Sequence, residues 1–317
     1  MSNADSVVKM ALCVIFCVLF LSHIFVLILA KIKSDKDFSN LKLRMRSWWL
    51  IILFLVPIFL CSKIVGLIMS GLISFLALKE YFSFIRFEPA DRKLLFWAYF
   101  LIPAQLCFLC VDWIIMFYLF VPLYMFLIIP LRRILAGRTD NFIKVTSLIQ
   151  WGVMLNVYAL GYIGAFLILP FNNVPAIHDV SGVRLLLFLL VLNALNDASQ
   201  YVWGKLFGKK PIVPNVSPHK TWAGFVGGVI TTTILSVLLA PYLTPMDLKF
   251  SIFAGLLIGI SGFIGDVVLS AVKRDAGVKD SSNLIPGHGG ILDRVDSLTY
   301  TAPIFFHFFC YFFQKGM

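Results

Sequence analysis

The apolar stretch "GLLIGISGFIGDVVLSAVKR" (255–274) carries Asp266, Ser270 and Lys273 at positions i, i+4 and i+7. On a helix this spacing lines a carboxylate, a hydroxyl and an ammonium group along one face, with Arg274 beside Lys273 at its end. An ionisable group inside an apolar helix is costly to keep and points to function. A self-neutralised pair at a helix end would account for part of this face, but the next segment adds to it. In "DAGVKDSSNLIPGHGGILDRVDSLTY" (275–300), Pro286, Gly287, Gly289 and Gly290 interrupt regular structure. Backbone amides in such a loop can approach an anion closely. Asp293 and Asp296 follow, three residues apart at the start of another apolar run. Two carboxylates so placed, without a thiolate or histidine cluster, suit a hard, oxygen-seeking cation such as Mg²⁺. Lys279, Arg294 and His288 add cationic or donor groups, and the combined chemistry is metal plus phosphate.

A third segment, "LNDASQYVWGKLFGKKPIVPNVSPHKTWAGFVGG" (192–228), places Asn196 and Asp197 near the end of an apolar span. A cationic loop leads to Ser217, Lys220 and Thr221 before the next span. Ser217 or Thr221 fits a helix cap, and exposed amides at a helix start also receive phosphate; both roles stay open. Elsewhere the signals are plainer. Gly255, Gly259 and Gly262 read as a close-packing stripe. His23 and His307 read as hydrogen-bonded packing residues, and the six cysteines as buried thiols without a disulfide framework.

These groups need a scaffold, and composition decides its class. Of the 317 residues, 60% are hydrophobic and only 14% charged, with a mean hydropathy of +0.92. A soluble domain of this size cannot hide that much apolar surface. Disordered, coiled-coil, collagen-like and disulfide-stapled chains are excluded by the same figures. The expected fold is an all-α, polytopic transmembrane helix bundle. About ten spans are expected, near 8–30, 48–62, 64–79, 94–110, 113–130, 147–170, 184–202, 223–243, 250–272 and 298–314. Only Ser62 and Lys63 separate the second and third, which could form a tight hairpin or one broken helix. With the 31–47 segment in the cytosol, every Lys and Arg except Lys9, Lys63, Arg184, Lys249 and Lys315 falls on that side. The net charge of +11 is therefore a topology signal, and no nucleic-acid partner is expected. The polar groups gather at the cytosolic side of residues 183–317. Residues 1–182 read as membrane helices without an evident chemistry, and Arg44→Ala in the first loop is expected to change turnover little.

Residues 270–296 resemble the signature of the phosphatidate cytidylyltransferases, the CDP-diacylglycerol synthases. Ser270, Lys273, Arg274, Lys279, Asp280, Ser282, Ile285, Pro286, His288, Gly289, Gly290, Asp293, Arg294 and Asp296 all stand at the spacing of that pattern. Gly265-Asp266, Asn196-Asp197 and the Ser217–Gly224 block look like further family segments. Ser199 stands where glycine is usual, and Ala223 where glutamate is usual. The resemblance covers roughly residues 190–300. It implies an integral-membrane nucleotidyltransferase that converts CTP and phosphatidate to CDP-diacylglycerol and pyrophosphate. A phosphate monoester has a second pKa near 6, so the lipid phosphate is already a nucleophile and needs no strong base. The implied roles give Asp266, Asp293 and Asp296 to Mg²⁺, with Asp197 as a further ligand. Lys273, Arg274, Lys279, Arg294 and His288 would grip phosphate, with Asp280 in the same catalytic set. Asn196, Asp197, Ser217, Lys220, Thr221, Ser270, Gly289 and Gly290 would contact substrate. The bilayer is the expected setting, a bacterial inner membrane the expected location, and a second copy of the chain a candidate partner. A cytidylyltransferase or kinase of another polar lipid is the near alternative. A secondary transporter is remoter, since its charges belong near the bilayer midplane.

Overall fold

Backbone polar groups in hydrocarbon must be satisfied within their own segment, so each apolar run folds as a helix. The computed structural model describes residues 6–32, 38–168, 181–282, 284–285 and 289–314. In chain order the helices are α1 (Ser6–Ile32), α2 (Ser39–Leu60), α3 (Lys63–Phe84) and α4 (Arg92–Cys110). Next come α5 (Ile114–Leu135) and α6 (Phe142–Ile168), each with a π-helical turn in its middle. Then follow α7 (Gly182–Phe207), α8 (Trp222–Leu243) and α9 (Leu248–Asp275). The short α10 (Leu292–Val295) leads into α11 (Leu298–Phe313). The first nine are long and apolar enough to cross a membrane, and α11 is the shorter tenth. An antiparallel hairpin of β1 (Pro211–Val213) and β2 (Ser217–Thr221) joins α7 to α8. The fold is the expected helical membrane bundle.

Several helices run past the expected bounds, and two of these extensions matter below. The second span begins at Ser39, nine residues before its apolar core, which puts Arg44 on α2 instead of in a loop. The third runs past Lys79 to Phe84, carrying Glu80 within α3. Charged residues with good helix propensity extend a helix beyond its hydrophobic window. α2 and α3 are separate helices, and the Ser62 hydroxyl caps α3 by accepting from the Val65 amide at 3.4 Å.

The helices sort by burial. Phe166, Phe188 and Phe305, from α6, α7 and α11, are wholly buried at the centre. Phe20, Leu53, Ile115 and Ile230 are more than half exposed, an apolar exterior that suits lipid and not water. Both in-span histidines pack as expected. His23 Nδ1 accepts from Trp49 Nε1 at 3.0 Å, and His307 Nε2 lies 2.7 Å from the Tyr162 hydroxyl. All six cysteines are free thiols, but only Cys310 is buried, because the other five face outward from the bundle.

The glycines of α9 bring backbones together. A methyl group at Gly255 would lie 2.6 Å from Thr233 Cα of α8, and one at Gly265 would lie 2.7 Å from the Asp296 carbonyl oxygen. The second contact seats the turn before α11 directly on α9, next to Asp266.

Candidate active site

The C-terminal ends of α3, α7 and α9 meet the N-terminal ends of α8 and α11 at one end of the bundle. Here α7 contributes Asp197, α9 contributes Asp266, and the turn into α11 contributes Asp296. Asp197 Oδ2 accepts from Ser297 Oγ at 2.9 Å, and Ser297 Oγ in turn accepts from Asn193 Nδ2 at 3.0 Å. Asp296 Oδ1 accepts from the Ser297 amide at 2.8 Å. Burial, with the charges of Asp266 and Asp197 beside it, pushes the Asp296 carboxyl well above the usual carboxylate range. Three carboxyl groups therefore share one field.

Cations answer them from the same elements. Lys220, in β2, forms an ion pair with Asp266 and lies over the Phe263 ring. Ser270 Oγ lies 3.3 Å from Asp266 Oδ1. Lys273 is buried and makes a 2.6 Å ion pair with Asp293 Oδ1. The other Asp293 oxygen accepts from the amides of Ser281 and Gly290, both at 2.9 Å. Burial raises this carboxyl, but the Lys273 ammonium and the two amides outweigh it and hold Asp293 below its usual value. Asp293 is thus turned toward the 281–290 loop. Among the described residues no three His, Cys, Asp or Glu side chains are gathered closely enough to hold a metal ion.

A cavity of about 830 Å³ opens beside Asp197, with Lys279, Asp280, Gly289 and Arg294 on its wall. A smaller cavity of about 220 Å³ shares Asp197 and Tyr201 with it and reaches Ser217, Lys220 and Asp266. Of the remaining expected site residues, several have internal duties. Asn196 is fully buried, accepting from Thr232 at 3.0 Å and donating to the Gly259 carbonyl at 3.4 Å, so it braces α7 against α8 and α9. Thr221 caps α8 by accepting from the Gly224 amide at 3.2 Å. Arg274 donates to the carbonyls of Val216 and Val278, both at 3.2 Å, tying the hairpin to the end of α9. The Gly290 amide is taken by Asp293 and is not available to cradle phosphate. His288, with Pro286 and Gly287, lies outside the described residues.

Two residues that the sequence reading left aside belong here. Glu80 of α3 is buried and accepts from the Leu292 amide at 2.8 Å, the Ile291 amide at 3.0 Å and Ser282 Oγ at 2.7 Å. Ser281 Oγ lies 2.9 Å from both Glu80 Oε2 and Asp293 Oδ2, and its one proton can serve only one of them. The available signal was a carboxylate in an otherwise apolar helix, the same signal that singled out Asp266. Arg44 of α2 lines the large cavity together with Trp48. It stands in the cavity wall and not in a connecting loop, because α2 starts as early as Ser39.

A family model described as the cytidylyltransferase family matches residues 42–312, a span that takes in both Arg44 and Glu80. The uncharacterized protein YnbB of Escherichia coli (strain K12) is 44% identical over 277 residues, covering 87% of this chain and 90% of that protein. The phosphatidate cytidylyltransferase of Haemophilus influenzae is 42% identical over 143 residues, covering 43% of this chain and 49% of that enzyme. The phosphatidate cytidylyltransferase of Staphylococcus haemolyticus is 28% identical over 265 residues, covering 83% and 97% respectively.

Proposed function

The chain belongs to the cytidylyltransferase family, and from that premise we propose that it joins CTP to phosphatidate, releasing CDP-diacylglycerol and pyrophosphate. One observation carries the reading. Asp197 lines both a cavity whose wall bears Lys279, Arg294 and Arg44 and a smaller one reaching Lys220 and Asp266, and the charges of Asp197, Asp266 and Lys273 all act on Asp296 beside them. Such a site is built to bring anions together.

A lipid phosphate oxygen attacks the α-phosphorus of CTP, the α–β P–O bond breaks, and its electron pair leaves on pyrophosphate. The dianionic lipid phosphate needs no strong base, so the chain's task is to position the reactants and balance charge. Lys279, Arg294 and Arg44 receive phosphate oxygens from the cavity wall. Lys273 is held in one orientation by Asp293, and Lys220 by Asp266. The oxygen donors of Asp197, Asp266 and Asp296 suit a hard divalent cation by chemical type, and the like charge around Asp296 is what such an ion would relieve, although the three are not gathered into a metal site in this structure. Those three residues would hold Mg²⁺, which supplies electrostatic stabilisation of the leaving group. The basic connectors at this end support a cytosolic orientation, and the proposed setting is a bacterial inner membrane.

The test is the purified protein with radiolabelled CTP, Mg²⁺ and either phosphatidate or an isoprenoid phosphate. Labelled CDP-diacylglycerol and free pyrophosphate are expected with phosphatidate. Product only with the isoprenoid acceptor, or with neither, overturns the proposal.

A further inference from the structure

We infer that Glu80 is a positioning residue for the reaction, tying Ser281 and Ser282 to the start of α10 at Ile291 and Leu292 so that α10 delivers Arg294 and Asp296 to the site; the inference rests on the nucleotidyl-transfer reading above. Glu80 belongs to α3, far from the signature in sequence, yet its carboxylate accepts from two consecutive amides at the start of α10. It also accepts from Ser282 Oγ. Its residue exposure is only 6%, and no ammonium or guanidinium among the described residues pairs with it.

A buried carboxylate answered only by neutral donors is expensive unless the geometry is well satisfied. Here both oxygens are used, and all the donors come from one loop. Gly290 marks how close the approach is, because a side chain there would collide with Glu80 Oε2 and Ser281 Oγ. Two and four residues beyond Leu292 come Arg294, on the cavity wall, and Asp296, beside Asp197 and Asp266. Rotation or slip of this turn would move both. Glu80 itself touches no reacting group, so its effect should fall on turnover more than on substrate binding.

The experiment compares wild type with Glu80→Gln, Glu80→Asp, Ser282→Ala and the Glu80→Gln/Ser282→Ala pair. It reads kcat, KM for CTP and the thermal midpoint in one detergent. In Glu80→Gln, kcat is expected to fall about 10- to 100-fold, the range for residues that orient a reactive group. KM for CTP should stay within about threefold and the melting transition should persist. Glu80→Asp keeps the charge and should recover part of kcat, and the double variant should be no worse than Glu80→Gln alone. Wild-type kcat in Glu80→Gln, or a loss that merely tracks the folded fraction, overturns the inference. If Glu80→Gln does not accumulate, Ser282→Ala decides by itself: a several-fold drop in kcat at unchanged midpoint supports it, and wild-type kcat overturns it. A wild-type protein that makes no CDP-diacylglycerol refutes the function itself, a separate outcome.

Discussion

Asp293 and Asp296 stand one helical turn apart, yet their carboxyl groups occupy opposite electrostatic surroundings. Asp293 is held below its usual value by Lys273 and two amides, whereas Asp296 is raised by burial and by two neighbouring carboxylates. Both oxygens of Asp293 are engaged, by an ammonium and by two amides, whereas Asp296 is crowded by like charges that a cation would relieve. On the proposed reading Asp197, Asp266 and Asp296 would take the metal role, with Asp293 orienting Lys273. Asp266→Asn and Asp296→Asn should raise the Mg²⁺ concentration for half-maximal turnover at least tenfold, or remove activity. Asp293→Asn should lower kcat with that concentration unchanged. A Mg²⁺ titration of the three variants checks this, and an equal Mg²⁺ shift in Asp293→Asn would contradict it. Residue types and spacing singled out all four aspartates. They could not divide them, because it is tertiary structure that brings Ser281 and Lys273 to Asp293, and nothing in a periodicity encodes that.

Helix ends, more than helix middles, decide what reaches the site. Hydropathy located every span, but it stops reading where charges begin, and the helices do not stop there. α2 starts at Ser39 and α3 ends at Phe84, so Arg44 and Glu80 were assigned to connectors or passed over. Arg44→Ala should raise KM for phosphatidate about tenfold, the loss expected when one charge-assisted phosphate contact is removed. Unchanged lipid kinetics would return Arg44 to the solvated surface. The crossing of α9 with the turn into α11 makes a second test at this scale. An added methyl at Gly265 meets backbone, which cannot rotate away. Gly265→Ala should cost about 1–3 kcal/mol of stability through overpacking and lower kcat by separating Asp266 from Asp296. Thermal denaturation and initial rates on the same preparation read both effects.

At the scale of the molecule, the chemistry-bearing residues crowd into 183–317, but the cavity they serve is walled partly by earlier helices. Arg44 and Trp48 on that wall come from α2, and Glu80 of α3 holds the start of α10 through the Leu292 amide. Sequence could not place these helices around the site. The interior of a membrane bundle is no more apolar than its lipid face, so burial leaves little periodic trace: exposed α1 and buried α6 are both simply hydrophobic. The arrangement has a direct consequence. A chain comprising residues 183–317 retains all four aspartates, but its 281–292 loop has lost its acceptor and its cavity one wall. It should insert in membranes and show no cytidylyl transfer. Coexpression with residues 1–182, breaking the chain after the first residue of α7, should restore measurable turnover, since buried aromatic contacts such as Phe166 with Phe305 draw the two pieces together at 5.9 Å between ring centroids. The same coexpression with Glu80→Gln in the N-terminal piece should restore far less. Full restoration by that variant piece would mean that the N-terminal helices serve only as packing, and activity in 183–317 alone would mean that they are dispensable to the chemistry.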